Sequence, residues 1–282
     1  MPRLLFATDF HGNQQAYDLL FELAQARQPD AIVLGGDLCP YPHRGMEPLT
    51  LQRLFVERWL RPRVRDFSAS CAVPIIAIPG NDDCAGLDPS FRALEDEANW
   101  HWIPGRSMAL SKDWSIAGLP LVPVTPFFMS DYDRLDSSDW EPAFWPEDAM
   151  FTEDGKTRLE PGESLRQRPP LDAELATLAG LGSPDRTIYV LHSPPYGTAL
   201  DQMHDGRSIG SRAIADFIER EQPPLTLHGH IHESPDQSGS VVEHRGRTTS
   251  FNPGGSLARL QAVLVDVDAH NVQHELILGP WR

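Results

Sequence analysis

Short apolar runs recur along the chain, and each ends on glycine or on a polar residue capable of chemistry. Leu4 to Thr8 stops at Asp9, and Ala31 to Leu34 stops at Gly35-Gly36-Asp37. Pro74 to Ile78 stops at Pro79-Gly80-Asn81, Ile188 to Leu191 at His192, and Leu225 to Leu227 at His228-Gly229-His230. Short runs with β-branched residues between such punctuators predict buried strands. Between several of them the apolar period lengthens. Gln15 to Arg27 places Leu19, Leu20, Leu23 and Ala26 at three-to-four spacing, and Leu51 to Val64 and Ile209 to Arg220 are similar. These stretches predict amphipathic helices, and strand-helix-strand alternation predicts an α/β sheet. Towards the C-terminus the helical period stops. Val241 to His244, Arg247 to Phe251, Leu260 to Asp266 and Val272 to Leu278 predict strands, with Asn252-Pro253-Gly254-Gly255 as a turn. This predicts a second sheet packed on the first.

The stretch from about 120 to 170 breaks the pattern. It holds Pro120, Pro123, Pro126, Pro142, Pro146, Pro161, Pro169 and Pro170, together with Trp140, Phe144, Trp145 and many acidic residues. Such proline density prevents long helices and interior strands. The aromatics argue against disorder, so we read an ordered insertion forming a rim or cap over a site. The alternative is a surface excursion packed on its own aromatics. With no internal repeat and no linker, residues 1–282 are expected to form one domain.

Composition and charge narrow the partners. Of 282 residues 40% are apolar and 23% charged, which describes a globular chain able to bury a core. The formal charge is −16, from 24 Lys plus Arg and 40 Asp plus Glu. The densest basic stretch, Arg58 to Arg65, holds only four Arg in a predicted helix. Long nucleic acid and anionic membranes are therefore not expected partners. Cys39, Cys71 and Cys84 form no disulfide framework and fit a reducing compartment. The N-terminal apolar run is too short for a signal segment, and no stretch approaches the ~18 apolar residues of a membrane span. A soluble, cytoplasmic protein is expected.

Chemistry gathers where the strands end. Asp9 and His11 stand at i and i+2, where an extended backbone points both side chains one way. Asp37 follows two glycines, Asn81 follows Pro79-Gly80, His192 ends a strand, and His230 and His232 are again i and i+2. Ligand sites in open α/β sheets lie at the carboxyl ends of strands. The donors Asp9, His11, Asp37, Asn81, His192, His230 and His232 are oxygens and imidazole nitrogens without a thiolate, a set suited to Mn, Fe, Zn and similar ions. They are too many for one open metal and about right for two divalent metal ions sharing a carboxylate. His228 sits within an apolar run and reads as structural.

In order, Asp9-Phe10-His11, Gly36-Asp37, Gly80-Asn81-Asp82-Asp83, His192 and Gly229-His230-Ile231-His232 resemble the calcineurin-like metallophosphoesterases. The loop His192-Ser193-Pro194-Pro195-Tyr196-Gly197-Thr198 resembles the branch related to Icc-type phosphodiesterases. The resemblance implies a four-layer α/β/β/α sandwich of two mixed sheets flanked by helices. It also implies one metal on Asp9, His11 and His232, another on Asn81, His192 and His230, and Asp37 as the bridge. A bridging hydroxide would then attack the phosphorus of a small phosphate ester. The third block departs from the family, which carries histidine where this chain has Asp82. That histidine contacts phosphate and can protonate the leaving group. Beside two cations Asp82 would be ionised and a poor acid.

Three readings stay open. The enzyme works without a histidine acid; His43 or His204 substitutes; or the fold binds metals and serves protein interaction with little hydrolysis, as in the retromer subunit of this fold. The leading expectation is a phosphodiesterase. A recombination-type nuclease is disfavoured by the missing histidine and the acidic charge. Tyr196 is a candidate to line the pocket. Trp140 and Trp145 read as holding the insertion together, with stacking on a base or sugar as the alternative. Cys39 and Cys84 read as small buried fillers.

Overall fold

A computed structural model describes residues 1–41, 46–256, 259–268 and 271–280. Two six-stranded mixed sheets dominate it. The first runs Val272–Pro280, Arg259–Val267, Arg3–Ala7, Ala31–Leu34, Ile75–Ala77, Trp100–Trp102. Its last four strands are parallel, and the two C-terminal strands join antiparallel. The second runs Val242–Arg245, Thr248–Phe251, Leu225–Leu227, Thr187–Leu191, Ser115–Leu119, Arg106–Ala109, with the middle four parallel.

Side-chain alternation builds the layers. Leu4, Phe6, Val33, Ile76 and Val263 pack against Ile116, Ile188, Val190, Leu227 and Phe251, forming the core between the sheets. The alternate residues Leu5, Ala7, Ile32, Leu34 and Ile75 face the helices Gln14–Arg27, Pro48–Phe55 and Arg61–Ser70. On the far side, Leu119, Tyr189 and Leu191 meet the helices Leu171–Ala179 and Arg212–Glu221. The order is helix, sheet, sheet, helix, as expected of the four-layer sandwich.

Two local expectations change. The C-terminal strands do not form one separate sheet: residues 242–251 extend the second sheet, while 259–280 return to the first. The helix Gln14–Arg27 buries Ala16, Tyr17, Leu20, Phe21 and Ala24, whereas Ala26 is exposed. Tyr17 and Phe21 broaden the apolar face beyond the leucines. The helix begins where the Asn13 side chain accepts a hydrogen bond from the Ala16 N–H, and it ends at Gln28 in left-handed conformation.

The stretch 120–170 is built from small pieces. Val122–Pro123 pairs with Asp133–Arg134, and a hairpin joins Asp148–Glu153 to Lys156–Pro161. Ala149, Phe151 and Leu165 form a small core of their own, with Val124 and Trp145 against it. Asp136 fastens the segment to the main body. Its carboxylate accepts from Ser211 Oγ at 2.5 Å and from the Arg212 and Ala213 N–H groups, at the start of the helix Arg212–Glu221. That satisfies orphan donors and favours negative charge at a helix N-terminus. Among the described residues no helix is long and apolar enough to cross a membrane.

Candidate metal centre

Strand register puts the polar loops at one edge. Ala7 pairs with Leu34 and Leu34 with Ala77, so the segments carrying Asp9, Asp37 and Asn81 leave the first sheet together. Val190 pairs with Leu227, so those carrying His192 and His230 leave the second sheet together. The predicted donors converge here. Ligand atoms of Asp9, His11, Asp37 and His232 all lie within 4.8 Å of one another. His232 Nε2 is 3.1 Å from Asp9 Oδ1 and 2.9 Å from His11 Nε2. On the other side, His192 Nε2 lies 3.1 Å from Asn81 Oδ1 and 3.3 Å from Asp37 Oδ2. Asp37 Oδ2 is also 3.7 Å from His11 Nε2, so one carboxylate faces both groups. The His230 ring stands 5.4 Å from that of His192.

The backbone route to this convergence differs from the expectation. Asp9 and His11 are not on an extended backbone: their φ angles are 57° and 44°, and Asp37 and His230 are at 51° and 68°. Left-handed backbone costs energy in residues other than glycine and concentrates at functional sites. The other left-handed non-glycine residues described are Gln28 and Gln222, which end helices, and Asp154 in a hairpin turn. Space is equally constrained. A side chain at Gly80 would collide with Asp37 and His192, and one at Gly229 with Thr8 and Asp9.

Burial and charge prepare the donors. Burial pushes His11 down to about 4 and His230 down to about 3, leaving both neutral lone-pair donors at pH 7. Burial opposes protonation of His192 and His232 as well, but Asp37 and Asp9 carry them up to about 9. Burial alone would raise Asp9 and Asp37, yet His232 and His192 respectively hold both carboxylates below the usual range. His11 Nδ1 is buried without a hydrogen-bond partner. Two ionised carboxylates amid buried imidazoles fit a divalent cation better than they fit a hydrophobic core.

A profile of the calcineurin-like phosphoesterases matches residues 2–234. The chain belongs to the calcineurin-like phosphoesterase family. This family is metal-dependent and acts on phosphate esters. TT1561 of Thermus thermophilus is similar in structure, with a TM-score of 0.60 and 18% identity over 98% of both chains. A second solved structure gives 0.61 and 18%, covering 98% of this chain and 99% of its own. At that identity these two support the fold alone. A structure titled as a novel archaeal phosphodiesterase aligns at a TM-score of 0.43 and 10% identity, too loosely to carry an argument. No curated protein matches the sequence.

The candidate site opens into a cavity of about 610 Å³. Asp37, Asn81, Asp82, His230 and His232 line one side. Pro123 to Met129, from the proline-rich segment, line the other. Asp82 points inward: Oδ1 accepts from the Asn81 amide at 3.1 Å, and Oδ2 is 3.9 Å from His11 Nδ1. In the bare protein burial and the Asp37 charge push it up to about 8, opposite to the lowering expected beside cations.

Two candidates lie off the cavity. Tyr196 is held under the Arg212 guanidinium, 3.9 Å from the ring centroid, and does not line it. His204 is exposed, with Nδ1 3.2 Å from Gln237 Nε2, and does not line it either. His43 lies outside the described residues. Trp145 packs on the insertion's own core, and Trp140 lies beside Asp136 and Arg212, both away from the cavity. Cys39 and Cys84 are buried. His228 is buried too, with Nδ1 2.9 Å from the Leu191 and Ser193 carbonyls.

The contacts of some supporting residues escaped sequence reasoning. Tyr41 stacks on His11 at 3.8 Å between ring centroids, with its hydroxyl 2.9 Å from His11 Nε2. Asp83 accepts from the Leu38, Cys39 and Gly80 N–H groups, fixing the Asp37 loop against the Asn81 loop. Gln52 does similar work, donating to Pro40 O and Asp82 O and accepting from Cys84 N–H. Asn252 was legible only as a turn. Its amide donates to the carbonyls of Leu200, Gly229 and Ile231 and so holds the His230–His232 loop.

Proposed function

We propose that this phosphoesterase hydrolyses small phosphodiesters at a pair of divalent metal ions, with manganese a suitable ion. The observation that carries this reading is the Asp37 carboxylate, which faces His11 on one side and His192 on the other. Asp9, His11, Asp37 and His232 would hold one ion, and Asp37, Asn81, His192 and His230 the other. The ions would supply Lewis-acid polarisation of the phosphoryl oxygens and activation of water.

Asp82 supports diesters over monoesters. Its carboxylate lines the cavity, and beside cations it would be ionised. A monoester dianion meets more repulsion from it than a diester monoanion does. Nor does Asp82 replace the family histidine as an acid, so substrates with good leaving groups are favoured. Tyr41, Thr125, Arg207 and Glu233 also line the cavity, and the Tyr41 hydroxyl stays protonated because burial and the Asp37 charge both raise its pKa.

The test is turnover of bis-p-nitrophenyl phosphate and p-nitrophenyl phosphate by Mn²⁺-loaded protein, with metal counted by mass spectrometry. Two ions per chain and a higher kcat/KM for the diester are expected. Absence of turnover with two ions bound would overturn the enzyme reading, and a single ion would overturn the paired site.

A further inference from the structure

Folding assembles a basic pocket that the sequence hides. Arg53, Arg134, Arg158 and Arg168 line one cavity of about 750 Å³. They come from the helix Pro48–Phe55, the short strand Asp133–Arg134, the hairpin strand Lys156–Pro161, and the residue after the turn Gly162–Gln167. Only Arg158 has carboxylate partners, Glu160 at 2.8 Å and Glu153 at 3.8 Å. Among the described residues Arg53, Arg134 and Arg168 form no ion pair.

Asp131, Glu153 and Asp154 line the same pocket and offset part of its charge, but none of them lies within ion-pair distance of Arg53, Arg134 or Arg168. Asp131 spends its oxygens on Thr152 N–H, Thr152 Oγ and Ala85 N–H, at 2.8, 2.5 and 2.8 Å. Glu153 is shared with Arg158, and Asp154 stands at the hairpin turn. Arg134 donates Nη1 to two backbone carbonyls, Asp131 O and Asp133 O, while its Nε is buried without a partner. Arg168 lies over the Phe151 ring, 3.8 Å from its centroid. Burial and the Arg168 charge together lower Arg134 to about 10. Three guanidiniums thus share one pocket with no carboxylate in direct contact among the described residues, and their N–H forks stay available to a ligand oxyanion.

We propose that this pocket is a second anion site, separate from the metal centre, for a small molecule carrying two or more phosphate groups. Several guanidinium forks with no carboxylate in direct contact suit the tetrahedral oxyanions of more than one phosphate group. The volume exceeds the needs of a single phosphate. None of the residues lining this pocket lines the metal-site cavity.

The test is titration calorimetry of sodium pyrophosphate into the full chain after metal removal, so that the metal centre holds no anion. Saturable one-to-one binding is expected. It should weaken about tenfold in Arg168→Gln and in Arg53→Gln, and weaken further as salt rises. Arg134 is left intact because it supports the Asp131 and Asp133 carbonyls. Asp37→Ala should leave this binding unchanged, which separates it from the proposed hydrolytic site. Absence of saturable binding, binding insensitive to both arginine variants, loss with Asp37→Ala, or equal affinity for malonate would each overturn the proposal.

Discussion

Asp9, Asp37, Asn81, His192 and His230 stand within a few residues of a strand end, on loops clamped to two sheets. Pro123 to Met129, on the facing wall, belong to a segment whose regular pieces are two short strand pairs and a few helical turns. The first region is polar, buried and strained in backbone. The second is apolar, with Phe127 and Phe128 at 51% and 50% exposure. A rigid edge can hold several donors near a common point, because sheet register is shared by all the strands. A loop wall has no such constraint and can vary its side chains without disturbing the donors. These differences predict a division of labour, in which the sheet edge sets the chemistry and the wall sets what organic group is admitted.

The strongest way to break that division is Asp37→Ala. Removing the carboxylate that faces both donor groups should lose metal and activity together. The rate should fall about a thousandfold or more, since metal polarisation contributes several kcal/mol. Metal counting beside kinetics checks it. Retention of two ions with full activity would show that Asp37 is not shared.

Acidity comes next. His192 and His232 hold protons up to about pH 9 in the bare protein because Asp37 and Asp9 lie beside them. Metal coordination needs neutral imidazole, so binding expels those protons. Their folded-state pKa values are raised, so below pH 9 each proton must be displaced and metal affinity rises with pH until about 9. Asp82, raised to about 8 in the bare protein, ionises with them, so release of up to about three protons should cost up to about a thousandfold in affinity per pH unit near neutrality. Calorimetry in buffers of different ionisation heat reads the stoichiometry. Release near zero at pH 7 would place the metals on other residues.

The two regions differ equally in how far the sequence discloses them. Motif spacing picked out the seven candidate donors because glycine and polar punctuation repeat at each strand end. It misjudged their backbone, because nothing in Asp-x-His separates an extended from a left-handed conformation. Strands Trp100–Trp102 and Arg106–Ala109 escaped notice: the first is three residues long, and the second shows no apolar alternation. Tyr41 and Gln52 were illegible, and Asp83 was legible only as a member of the third block, because their roles depend on contacts between segments distant in sequence. The four arginines of the basic pocket were illegible for the same reason. Counting charge along a chain finds runs, not residues gathered by folding.

Asp82 sits on the boundary between the regions, lining the cavity beside the donors. Asp82→His restores the family residue at that position. It should raise turnover of esters with poor leaving groups about ten- to a hundredfold, toward the lower part of the usual range for a general acid. It should change nitrophenyl esters much less, because their leaving group needs little protonation. An unchanged ratio between the two substrate classes would mean that another acid already serves.

The smallest effect tests the wall itself. Phe127 and Phe128 line the cavity with about half of each residue still accessible. Covering an exposed ring with an apolar group is favourable by about 1 kcal/mol or more. Phe127→Ala with Phe128→Ala should therefore raise KM for bis-p-nitrophenyl phosphate about tenfold. The kcat value and the metal content should stay near native, because among the described residues neither ring stacks on a candidate donor imidazole. Methyl p-nitrophenyl phosphate, with less apolar surface, should be affected less, and the difference between the two substrates is the informative quantity. A matching loss for both, or a fall in kcat accompanied by loss of metal, would show that the wall braces the donor loops. The division between chemistry at the sheet edge and selection at the wall would then fail.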